Sequence, residues 1–107
     1  MPEYKEQTYK VLKNRVPRTE VYRVIDTERD HQESLPSNRS EDPKRTRMVA
    51  EYLTMLDYYV SHAQETWTMR SGNELVLDDM RKIAALAVRC MEEWGAPERV
   101  VLHDNLP

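Results

Sequence analysis

The sequence predicts an all-α fold: a short N-terminal helix, then a long antiparallel helical hairpin through which copies of the chain associate. Two observations carry this. The stretches "AEYLTMLDYYVSHAQETW" and "ELVLDDMRKIAALAVRCMEEW" place apolar residues at steps of three and four, the period of a helix face. The chain's only two glycines, Gly72 and Gly95, punctuate these two stretches, one between them and one after the second. The length of 107 residues suits one domain, 1–107.

Residues 1–18 form an extended arm in this reading: Tyr9 and Val11 alternate as a strand would, and Pro17 ends the run. The first helix spans 19–33. Thr19 is its expected N-cap, Glu20 favours the first turn, and Val21, Val24, Ile25 and Leu35 make a narrow apolar stripe. Residues 34–42, overlapping the polar run "PSNRSEDPKR", are the linker. Asp42-Pro43 is an expected helix start, with a carboxylate to accept free N–H groups and proline at the first helical position. The second helix therefore spans 43–68, about 39 Å at roughly 1.5 Å per residue. Gly72 breaks it and Asn73 is placed to cap a third helix over 74–94. Gly95, with Pro97 just beyond, stops that helix, and 95–107 is a tail carrying one apolar cluster, Val100–Leu102.

On the second helix Val49, Leu53, Leu56, Val60, Ala63 and Trp67 step by 4, 3, 4, 3, 4, a coiled-coil-like seam. Met48, Tyr52, Met55 and Tyr59 form another stripe beside it. On the third, Leu77, Met80, Ala84, Ala87, Met91 and Trp94 repeat the spacing, widened by Val76, Ile83 and Cys90. A short connection makes the two helices antiparallel neighbours. Each then shows more apolar width than one facing helix covers, and a broad apolar patch left in water invites association. The surplus points to a homo-oligomer with Tyr52, Met55, Tyr59, Met80 and Met91 at its interface. In the alternative, a monomer, the arm and the tail complete the core.

Composition bounds the partners. No run approaches the roughly 20 apolar residues that span a bilayer, and "MPEYKEQTYK" lacks the apolar region of a secretory signal. With Cys90 as the single cysteine, the expected location is the reducing cytoplasm. The net charge is −3. Residues 1–35 balance at seven basic against seven acidic, and 48–107 hold five basic against ten acidic. Only 36–47 are net basic, so a duplex nucleic acid, which asks for a broad basic face, is not the expected partner.

Candidate sites are few. Arg39, Lys44, Arg45 and Arg47 crowd the start of the second helix, whose free N–H groups favour a phosphate. Trp67 and Trp94 are the candidates for stacking on a base. Asp42 partly cancels the positive charge, and a solvated basic turn is the plainer reading. Glu28-x-x-His31 and His62-x-x-Glu65 have the spacing of carboxylate-bridged metal sites, yet each lacks the companion carboxylates, so no metal ligand is assigned. Cys90 lies in an apolar stripe and reads as inert core. No phosphate loop and no nucleophile–base arrangement occurs, so no catalytic residue and no cofactor is assigned.

The block "VAEYLTMLDYYVSHAQETW…GNELVLDDMRKIAALAVRCMEEWGAPER", preceded by "VYRVIDTERDHQ", looks like small helical accessory proteins of tailed bacteriophages. "LDDMRKIAALAVRC" is also loosely similar to phage proteins that sequester cyclic-nucleotide immune signals. These likenesses imply a non-enzymatic anti-defence protein in the host cytoplasm. It would act by binding, either sequestering a phosphate-bearing nucleotide at subunit interfaces or masking a host protein. The enzymatic alternative is an all-helical, Mg²⁺-dependent nucleoside-triphosphate pyrophosphohydrolase of the MazG or dimeric dUTPase type. It would need clustered acids, for which Glu51, Glu65, Asp78 and Asp79 are available across the hairpin.

Overall fold

A computed structural model describes residues 15–35, 47–70 and 72–100. All regular structure among them is helical: α1 (Arg18–Ser34), α2 (Val49–Arg70) and α3 (Asn73–Trp94). The Asp42-Pro43 start, Arg39, Lys44, Arg45, most of the arm and the end of the tail lie outside the described residues.

The helix starts differ from expectation for one shared reason: none is capped by a small polar side chain. Pro17, not Thr19, occupies the N-cap of α1, and its carbonyl accepts the Glu20 and Val21 N–H groups at 3.0 and 3.2 Å. Proline's fixed φ suits this position, here −57°. Arg47 and Met48 precede α2, which begins at Val49, six positions later than Pro43. The Met48 carbonyl accepts the Glu51 and Tyr52 N–H groups, while the Met48 N–H donates to the Glu51 carboxylate at 3.2 Å. That is half of a capping box, with glutamate at the third helical position and no cap hydroxyl. Gly72 precedes α3 without a side-chain bond, and Asn73 is its first residue. The stop is as read: Gly95 adopts φ +115°, a conformation costly for any residue with a Cβ, and its N–H donates to the Met91 carbonyl at 2.8 Å.

Contacts between α2 and α3 run in reverse order along the two helices. The Trp94 indole N–H donates to the Arg47 carbonyl at 2.7 Å, the Tyr52 hydroxyl donates to Glu93 at 2.5 Å, and His62 Nδ1 lies 2.8 Å from Asp79. Tyr52, wholly buried, belongs to this contact, as do the buried Ala63 and Leu86. Tyr52 was expected at a subunit interface; the chain itself covers it.

Helix α1 meets α3 on another flank. Two adjacent α1 residues reach partners eleven positions apart: Arg81 Nε donates to Glu28 at 2.7 Å and Arg29 Nε donates to Glu92 at 2.5 Å. Helix α1 therefore crosses α3 rather than running along it. Ala85, between those partners and wholly buried, supplies the small side chain that a close crossing needs.

The stripes read as an intrachain seam mostly face outward. Val49, Leu53 and Val60 on α2 are 44, 61 and 39% exposed. Leu77, Met80, Met91 and Trp94 on α3 are 60, 52, 44 and 54% exposed. Successive residues turn about 100° round a helix. Measured from Tyr52, which points at α3, Val60 and Leu53 lie roughly 80–100° round α2. Measured from Asp79, which points back at α2, Ala87, Met80, Met91 and Ala84 lie roughly 80–140° round α3. Two right-handed helices running in opposite directions carry both arcs to the same side. The α1 crossing, at Arg81, Ala85 and Glu92, is roughly 200–240° round α3. One apolar face thus spans two helices on the side away from α1. Periodicity detected both stripes of α2 but could not say which one looks inward.

Candidate functional site

Three places on this frame gather groups able to bind or react. The first is the corner where α3 ends against the start of α2. Gly95 halts α3 so that Trp94, its last residue, lies beside Arg47. The indole N–H is engaged by the Arg47 carbonyl, and the residue stays 54% exposed, so much of the ring is open to a flat partner. Arg47 is half-buried, and its positive charge is felt at the Tyr52 hydroxyl. That hydroxyl is pushed up to about 12, first by burial and then by its bond to the Glu93 carboxylate. Of the predicted phosphate and stacking residues, then, Arg47 and Trp94 come together. Trp67 does not join them: it lies 18 positions along α2 from Val49, roughly 27 Å away at 1.5 Å per residue.

The second place is a cleft of about 430 Å³ lined by His62, Glu65, Thr66, Met69, Leu75, Asp78, Asp79 and Lys82. Asp79 is buried and its carboxylate meets His62 Nδ1, whose side chain is half-exposed. With Nδ1 protonated and donating to Asp79, Nε2 is the remaining acceptor of the ring. Asp78 is occupied by Arg81 at 2.5 Å and Lys82 at 3.2 Å, which together hold its carboxyl below the usual range. Of the four acids considered for Mg²⁺, Glu65, Asp78 and Asp79 share this cleft, while Glu51 caps the far end of α2. Among the described residues, no group of three or more His, Cys, Asp or Glu side chains could hold a metal ion. The His62–Asp79 pair escaped the sequence reading, which looked from His62 only to Glu65. The signal was Asp79 itself, an acid set between Val76 and Ile83 on an apolar stripe, where only a partner makes burial tolerable.

The third place lies under α1. A smaller cavity, about 170 Å³, is bounded by Glu28, Gln32, Met55, Tyr59, Leu86 and Arg89. Met55 and Tyr59, expected between subunits, are half-buried here against the chain's own helices, whereas Met80 and Met91 stand on the open face. Above the cavity, Arg29 is gripped by Glu92 and by Glu33 at 2.6 Å. These bonds raise the guanidinium's affinity for its proton and hold the Glu92 carboxyl low. Cys90 is a half-buried free thiol.

No described helix is long and apolar enough to cross a membrane. Comparison with protein-family models, with curated proteins and with solved structures gives no match.

Proposed function

We propose that this chain acts by binding, as a phage accessory protein of the kind its helical blocks resemble, and that it sequesters a phosphate-bearing nucleotide. In this reading copies of an antiparallel α2/α3 hairpin assemble, and the basic linkers before α2 converge on the Arg47/Trp94 corner. The observation that supports it is the half-exposed Trp94 ring, tethered at 2.7 Å to the residue that closes the basic run. A base stacked on such a ring gains roughly 1–3 kcal/mol, and neighbouring cations neutralise the phosphate.

A thermal-shift panel of cyclic di- and trinucleotides tests the reading, because a ligand that binds only the folded chain raises the melting temperature. A shift that shrinks in Trp94→Ala and Arg47→Ala supports it. No shift with any nucleotide, together with a host protein that co-purifies in stoichiometric amount, replaces sequestration with masking. The enzymatic alternative draws support from Glu65, Asp78 and Asp79 sharing one cleft. It requires Mg²⁺-dependent pyrophosphate release from a nucleoside triphosphate, and a panel of triphosphates without release discards it.

A further inference from the structure

One apolar face lies open on the side away from α1. We propose that a second copy of this chain seats its own α2/α3 face on this one, stacking two hairpins into a four-helix bundle whose α1 helices lie on the outside. The proposal rests on the self-association included above and replaces its interface. It moves contact from Tyr52, Met55 and Tyr59, which the chain covers itself, to Leu53, Val60, Leu77, Met80 and Met91, with the Trp94 corner left at the rim.

Three features favour a second copy as the occupant. The first is size. The six large aliphatic side chains Val49, Leu53, Val60, Leu77, Met80 and Met91 are each 39–61% exposed, with Ala84 and Ala87 half-open among them. Six side chains of this size, each about half open, amount to roughly 500 Å², at the upper part of the roughly 300–600 Å² of the largest patch on a typical monomer and more than half of the ~800 Å² that each side of a standard interface buries. The second is spacing. Steps of three and four on both helices are what knobs-into-holes packing against another pair of helices needs, and α2 and α3 of one chain already pack on each other through other residues. The third is charge. The α3 stripe from Leu77 to Trp94 contains no ionisable side chain, and Asp57 only borders the α2 stripe, so two such faces meet without burying like charges. A charged partner gains nothing from so neutral a surface.

Native methionines make the test possible without altering the chain. Met80 and Met91 lie on the face, whereas Met69, 73% exposed, lies on another side of α2. Peroxide oxidation is followed by mass spectrometry across a dilution series, beside sedimentation of the same samples. The expected result is a dimer or higher multiple at high concentration. Met80 and Met91 should then oxidise at least about tenfold more slowly than in the dilute chain, with Met69 unchanged. Leu77→Glu and Leu53→Glu should each weaken association at least about tenfold while helical content holds, because the charge is exposed in the single chain and buried in the assembly.

Sedimentation as a monomer at every concentration overturns self-association altogether, whatever the nucleotide panel returns. An oligomer in which Met80 and Met91 oxidise as fast as in dilute solution overturns this face while leaving self-association standing. Protection that does not depend on concentration means the chain's own arm or tail covers the face, and that also overturns the proposal.

Discussion

The two flanks of α3 that do not touch α2 reverse the usual arrangement. The flank under α1 is covered, yet its chemistry is ionic: Glu28, Arg29 and Arg89 are buried, and Arg81 and Glu92 reach across to α1. The opposite flank is apolar, yet it is open, with Leu77 60% and Met80 52% exposed. Buried charges hold their place through partner geometry and contribute modestly, because desolvation offsets much of the attraction. Exposed apolar surface forgoes a stabilisation of about 25 cal/mol for each Å² until something covers it. The contrast teaches that single-chain cohesion comes from the narrow α2/α3 core and the ionic clasp, while the open apolar flank adds little to it.

Substitutions graded along that contrast can break or sharpen it. The largest effect is expected at Leu86, 4% exposed where α2 and α1 both press on α3. Leu86→Ala should cost about 2–5 kcal/mol in chemical denaturation, and a loss below 1 kcal/mol would mean the core is elsewhere. On the ionic flank, Arg29→Ala removes bonds to Glu92 and Glu33, whose carboxylates are half-exposed and can rehydrate, so the loss should be about 1–2 kcal/mol.

Next comes acidity. Arg29 holds the Glu92 carboxyl low, and Arg81, then Lys82, hold Asp78 low. A depressed folded-state value contributes stability above the ordinary range and loses it as pH falls through the folded value. Melting temperature should therefore fall below pH 4.5 in the wild type, and fall less steeply in Arg29→Ala. At the alkaline end Tyr52, raised to about 12, contributes below its ordinary 10.0 and loses the contribution above about 12. Tyr52→Phe should cost about 1 kcal/mol at neutral pH and abolish that alkaline step. The smallest effect belongs to the open flank: in dilute single chains Leu77→Ala should change stability by less than about 0.5 kcal/mol. A large loss there would mean that residues of the same chain already cover the face.

The all-helical fold and the stop at Gly95 were legible, because helical spacing and a glycine with no sterically equivalent substitute are local signals. The starts were less so. Thr19 looked like a cap, whereas Pro17 and the Met48/Glu51 pair use backbone carbonyls and a glutamate three positions on. Tyr52 and Val60 have the same periodicity, and only the position of α3 distinguishes buried from open. Glu28 was legible only as a spacing with His31, since nothing in the residues near it announces Arg81, 53 positions later. At the candidate corner, Arg47 and Trp94 were each legible singly, but their meeting depends on tertiary structure.

The bond from the Trp94 indole to the Arg47 carbonyl ties the chain's passage into α2 to its departure from α3. A displacement of Arg47 relative to the end of α3 would strain or release that bond. Indole emission shifts with polarity, so Trp94 is a built-in optical gauge of the junction, and a Trp67→Phe background would make its signal unambiguous.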